Sequence, residues 1–142
     1  MEEQNFKNHA RMVPGFHYLG LLSIFTLLGC SIGYLINTSS ENKFLGILLV
    51  LISFILVVLW IYIRTFPLKA QDRAIRAEEN FRFYVLTGKL LPSTLTIAQI
   101  IALRFAPDEE FIDLVDRAVK ENLSVKDIKL SIKNWKADYY RV

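Results

Sequence analysis

The chain has 142 residues, one cysteine and a formal net charge of +3, and 53% of its residues are hydrophobic. That length suits one small unit, and a lone Cys30 excludes a disulfide-stapled secreted scaffold. The charge is mild overall, but residues 64–142 hold 14 Lys/Arg against 11 Asp/Glu, so the whole positive excess lies there.

Residues 1–17 are polar and hold Glu2, Glu3, Lys7, His9 and Arg11 before Pro14-Gly15. The Pro-Gly pair predicts a turn ahead of the first apolar run. Phe16, His17 and Tyr18 then stand where an interfacial aromatic belt is expected. His9 and His17 lack a Cys or carboxylate partner at metal-ligand spacing and are read as solvated or interfacial.

Two apolar runs follow, residues 18–36 and 44–63, and neither contains Asp, Glu, Lys, Arg or His. About 20 residues at about 1.5 Å each span a hydrocarbon core of roughly 30 Å. The pair predicts a transmembrane helical hairpin closed by the polar heptapeptide 37–43. Leu27-Leu28-Gly29-Cys30 is also the pattern of a lipoprotein cleavage site. Residues 31–36 continue the apolar run, however, where a mature N-terminus is usually polar, so a retained span is expected.

Gly29 and Gly33 form a GxxxG with Thr26 and Cys30 beside them. Small residues four apart let another helix approach closely in lipid. The face therefore serves either packing against the second span, which the short loop favours, or a homo-oligomer. Asn37-Thr38-Ser39 matches a glycosylation pattern, but it abuts the membrane and is discounted.

Basic residues near the span ends set the orientation. The loop has Lys43; the segment after the second run has Arg64, Lys69, Arg73, Arg76 and Arg82. Both termini are expected in the cytoplasm, with Trp60 and Tyr62 in the inner aromatic belt and Arg64 snorkelling.

Pro67 predicts a kink or a helix restart. Residues 68–87 then read as a charged helix, a juxtamembrane or coiled-coil-like stalk. Ala70, Ala74, Ala77, Phe81, Tyr84 and Gly88 form one thin apolar stripe, with Asp72/Arg76 and Glu78/Arg82 at i,i+4. Gly88 is placed to end that helix. Thr94 or Thr96 can cap a short apolar helix over 97–105, expected at the buried centre of the tail or against the membrane.

Pro107-Asp108-Glu109-Glu110 is a helix start, and the helix should run to about Asn122 with Phe111, Leu114, Val115 and Ala118 inward. Glu109, Asp113 and Asp116 share an outer face and are read as solvated, since no loop supplies the further oxygens a calcium site needs. Ser124 caps a last helix expected over 125–140. Val125, Ile128, Ile132, Trp135 and Tyr139 form its apolar stripe, and Lys126, Lys129, Lys133 and Lys136 a second stripe about 100° away. Such a helix suits either an anionic membrane surface or a bundle.

The expected fold is therefore all-α: residues 1–17 as a cytoplasmic segment, 18–63 as the hairpin and 64–142 as a juxtamembrane helix with a small cytoplasmic helical tail.

Four stretches carry a family resemblance: residues 71–81, Tyr84-Val85-Leu86-Thr87-Gly88-Lys89-Leu90-Leu91, Ile100-Ile101-Ala102-Leu103-Arg104-Phe105-Ala106 and Ile132-Lys133-Asn134-Trp135-Lys136-Ala137-Asp138. The chain resembles an uncharacterised family of small bacterial two-span membrane proteins, some of whose members are labelled transporter permeases. The resemblance covers most of the chain and implies a bacterial cytoplasmic (inner) membrane location. It supplies no activity, cofactor, metal or site residue. Two spans without an intramembrane charge argue against a path for a polar substrate.

No GxGxxG, Walker-type loop, HExxH or cysteine pair is present, so enzyme chemistry is not expected. Residues 123–128 faintly suggest the turn of a helix-turn-helix, but 11 acidic residues on a membrane-tethered tail argue against nucleic acid. Two expectations follow. One is a scaffold or interaction module whose contacts to anionic lipid or a protein partner are Arg73, Arg76, Arg82, Lys126, Lys129, Lys133, Lys136 and Trp135, with Thr26, Gly29 and Gly33 as a helix-packing or oligomer face. The other is a homo-oligomeric channel-like assembly lined by Ser23, Thr26, Ser31 and Ser53.

Overall fold

The computed structural model describes residues 4–6 and 12–138; Lys7, His9, Arg11 and Tyr139 lie outside the described residues. Its described residues form helices and connections, with no strand among them. The chain divides into two units, Met12–Pro67 and Leu68–Val142 with Met1–Arg11.

In the first unit a π-helical turn, Gly15–Gly20, leads directly into α1, Leu21–Asn37. Pro14 is helical and opens this segment instead of turning the chain, because proline's fixed φ suits a first turn whose N–H groups have no partner. The Val13 N–H donates to Nδ1 of His17 at 3.0 Å, which satisfies one of those orphan donors. A short 3₁₀ turn, Ser40–Asn42, joins α1 to α2, Lys43–Thr87. Both helices are long and apolar enough to cross a membrane.

α2 runs through Pro67, so of the two expected outcomes, a kink or a restart, the restart does not occur. Proline deletes only its own N–H bond and crowds the carbonyl four residues back, a cost of about 3 kcal/mol. A helix of 45 residues carries many more bonds than that one, so it continues.

The two spans meet along a seam that the glycine pair does not enter. Among the buried or half-buried positions on this part of α2, Gly46, Val50, Ser53, Val57, Trp60 and Arg64 recur in alternating steps of four and three, with half-buried Leu49, Val58 and Thr65 beside them. Ile24, Leu28, Ser31 and Leu35 answer on α1 in the same steps. That is the period of left-handed helix packing. A Cβ on Gly46 would stand 3.1 Å from the Leu35 Cα, so glycine is needed for the close approach near the loop. At the other end Phe16 stacks on Trp60, centroids 4.9 Å apart. Midway, Ser31 and Ser53 share a hydrogen bond of 3.0 Å between their hydroxyls.

The second unit is built on a small closed core. Gly88, at φ +73°, ends α2 as its left-handed residue, and its N–H donates to the Tyr84 carbonyl at 2.8 Å. Thr96 opens α3, Ile97–Leu103, with a complete capping box to Gln99. Asp108, Glu109 and Glu110 begin α4, Asp108–Lys120, at the positive end of its dipole. Ser124 caps α5, Val125–Ser131, by accepting from the Asp127 N–H. Phe83 of α2, Leu103 and Phe105, Phe111 and Val115 of α4, and Ile128 pack as the core.

The core-facing side of α2 is Ile75, Glu79 and Phe83, whereas Ala74, Ala77, Phe81, Tyr84 and Gly88 of the apolar stripe are exposed. One expectation is overturned here. The last helix stops at Ser131 instead of reaching residue 140, and Ile132 takes an extended conformation. Its backbone is taken by other partners. The Lys133 and Asn134 N–H groups donate to the Glu110 carboxylate at 2.9 and 3.1 Å, and the Lys136 N–H donates to the Phe105 carbonyl at 2.8 Å.

Candidate functional site

The polar residues singled out in the sequence fall into three places. The first is the core-facing flank of α2. Arg82 is committed inside the unit: Nε donates to Asp108 at 2.6 Å, Nη1 to Glu79 at 3.0 Å and Nη2 to the Ala106 carbonyl at 2.8 Å. Its guanidinium lies 4.1 Å from the centre of the Phe111 ring. A planar cation with donors on three sides can satisfy a carboxylate pair and a carbonyl at once, which a lysine cannot. Its side chain is only 12% exposed, so Arg82 offers little to an outside partner. Arg73 and Arg76, about two and a half and one and two-thirds turns earlier, are exposed.

The second place is the segment after α5. With the helix ended at Ser131, the lysine stripe is divided. Lys126 and Lys129 stand on α5, and Lys133 and Lys136 follow in extended chain. Lys129 is half-buried, its Nζ 5.8 Å from the centre of the Phe105 ring, and Trp135 packs on the same ring with centroids 4.9 Å apart. Lys126, Lys133 and Lys136 are exposed. No single helix face presents all four.

Glu110 holds this segment. Burial pushes its carboxyl pKa up, but the bonds from the Lys133 and Asn134 backbone, the Asn134 side chain and the Lys133 charge outweigh it, leaving the pKa below the ordinary 4.5. A carboxyl that binds its proton less tightly folded than unfolded adds stability above the unfolded value, and loses it as pH falls through the lowered folded value. Acidification from about pH 7 to about 3 should therefore release the segment around Trp135, and Glu110→Gln should abolish that step. Trp135 fluorescence in a Trp60→Phe background reads it; an unchanged acid transition in Glu110→Gln would refute the assignment.

Behind this segment a cavity of about 500 Å³ opens, lined by Gln71, Glu79, Arg104, Lys136 and Asp138 among others. Arg104 is 9% exposed, its Nη1 lies 3.0 Å from Asp138, and its buried Nε has no hydrogen-bond partner. Arg104 stands in the apolar stretch 97–105, and the acid four residues on, Asp108, is taken by Arg82, so the distant Asp138 answers it. Opposite charges line the cavity in near balance. Among the described residues no group of His, Cys, Asp and Glu is placed to hold a metal ion.

The third place is the GxxxG face of α1. Thr26, Gly29 and Cys30 are exposed, and a Cβ added at Gly29 or Gly33 would meet nothing within 4 Å. Neither glycine makes a close approach to α2, although Gly33 is half-buried, so the packing use expected of this face finds no support at the glycines. Ser31 and Ser53, two of the four polar residues proposed to line a channel, are buried against each other.

No curated protein and no solved structure matches the chain. The whole of it, residues 1–142, matches DUF6526, and the chain belongs to that family of unknown function.

Proposed function

We propose that the chain is a non-enzymatic integral protein of the bacterial cytoplasmic membrane. Its hairpin is the anchor, both ends are cytoplasmic, and its helical tail is an interaction module. One observation carries this reading: the two units dispose of their apolar surface in opposite ways. Leu22, Phe25, Phe44, Ile52 and Phe54 of the hairpin are each more than half exposed, whereas the tail encloses Phe105, Phe111, Val115 and Ile128 almost completely. Apolar side chains around both faces of a helix pair call for lipid, while a closed core stands in water. Lys43 at the loop against Arg64, Lys69, Arg73 and Arg76 beyond the second apolar run supports the orientation.

Exposed Arg73, Arg76, Lys126, Lys133 and Lys136 support a tail that contacts an acidic partner protein or the anionic inner leaflet. The divided lysine set favours the protein, because a flat lipid-bound helix needs its cations on one side. A channel-like assembly draws less support, with Ser31 and Ser53 already spent on one another.

The test is extraction and labelling. Carbonate washing should leave the chain in the membrane, and in a Cys30→Ala background an impermeant maleimide applied to intact cells should label Ser40→Cys but not Lys120→Cys. Release by carbonate, or the opposite labelling, would sink the reading. Hydrogen exchange in nanodiscs separates the two tail contacts: protection of residues 125–136 that appears only with anionic lipid selects the leaflet.

A further inference from the structure

We infer that the exposed stripe on α2 is the seam of a parallel two-helix coiled coil formed with a second copy of this chain. Ala70, Ala74, Ala77, Phe81 and Tyr84 succeed one another in steps of four, three, four and three residues, up to the left-handed Gly88 that ends the helix. That is a strict a/d pattern with the 3.5-residue period of a coiled-coil seam, not the broader face that a globular core covers. At about 100° per residue the stripe lies roughly opposite Ile75, Glu79 and Phe83, so the tail core leaves it exposed, with Ala74 and the neighbouring Glu78 at the edge of the cavity beside residues 136–138. Phe81 is 69% exposed and Tyr84 51%. The alanines let two backbones come close, and Phe81 and Tyr84 supply the apolar area.

The flanking charges name the occupant. With Ala74 at a and Ala77 at d, Arg73 falls at g and Glu78 at e. In a parallel pair each g residue meets the e residue five positions later on the partner helix. Arg73 then faces Glu78 of the second copy, and twofold symmetry makes the pairing twice. An antiparallel pair brings e against e and g against g, so Arg73 could not meet Glu78 there. The parallel sense agrees with two copies anchored by the same hairpin, and to that extent rests on the anchoring proposed above. The seam is separate from the GxxxG face of α1.

Disulfide trapping of the full-length chain in liposomes tests it, with Cys30→Ala removing the native thiol. Under copper phenanthroline, Ala70→Cys and Ala77→Cys should trap dimers, whereas Arg76→Cys at position c should not. Phe81→Glu should cut the trapped fraction by about tenfold, since it sets two carboxylates across a dry seam. Arg73→Glu should weaken dimerisation by about fivefold and Arg73→Glu with Glu78→Arg should restore it. Equal trapping at Arg76→Cys, no dimer at Ala70→Cys and Ala77→Cys, or no rescue by the double reversal would overturn the seam. A carbonate wash of the same samples reads the anchor independently: an anchored chain without dimers defeats the seam alone, and trapped dimers in washed-off protein keep the seam and defeat the anchor.

Discussion

Arg82→Ala is expected to destabilise the tail by about 3 kcal/mol, the scale on which removing one partner of a largely buried ion pair acts. Three losses add. Glu79, 8% exposed, would keep its charge without the cation that answers it. The Ala106 carbonyl would lose a charge-assisted donor, and the Phe111 ring would lose the guanidinium over its face. The Asp108 pair contributes less, because that carboxylate is 59% exposed and screened by water. Arg82→Lys should recover only part of the loss, since one ammonium cannot reach both carboxylates and the carbonyl. Hydrogen exchange of the α4 amides in the full chain measures it. A change below about 0.5 kcal/mol, the size of an ordinary surface substitution, would show that the network is ornamental.

Phe111→Ala should cost more, about 4 kcal/mol, the usual range for emptying a buried phenylalanine site. Phe111 is 0% exposed and meets Phe83 edge to face with centroids 6.1 Å apart, so no neighbour can swing in from solvent to fill the gap. The ring also lies beneath Arg82, and the double variant Arg82→Ala with Phe111→Ala should fall short of the sum by about 1 kcal/mol. Denaturant unfolding followed at Trp135 tests both. Full additivity would mean that ring and guanidinium do not interact.

The sequence revealed what is decided locally. Gly88, Thr96 and Ser124 mark helix ends, because a cap is a bond between residues three or four apart, and Asp108 marks the start of α4 by its charge at the helix N-terminus. The inward face of α4 was legible for the same reason: its period is a property of one helix. The end of α5 was not. The apolar and lysine periods ran on to residue 140, yet Glu110, more than 20 positions upstream, takes the Lys133 and Asn134 amides out of the helix. Arg82 was misread likewise, since i,i+4 spacing pointed to Glu78 while folding brings Glu79, Ala106 and Asp108 to it. The α2 stripe was found correctly as a pattern, but a pattern does not say which face the remainder of the chain covers. In the hairpin, GxxxG drew attention away from the heptad of Gly46, Val50, Ser53, Val57 and Trp60, which was equally present in the sequence.

The serine contact between the spans has an unusual balance of donors and acceptors. Each hydroxyl lies 2.7 Å from a carbonyl of its own helix, Ser31 from Leu27 and Ser53 from Leu49. Two protons thus serve three hydrogen-bonding positions, and the link between the helices is made only when one serine releases its own carbonyl. If α1 and α2 part in hydrocarbon, each hydroxyl returns to that carbonyl and no polar group is stranded. The contact therefore selects the register in which α1 and α2 meet without resisting their separation, in keeping with the roughly 0.6 kcal/mol typical of such bonds between helices in a membrane, the setting proposed above.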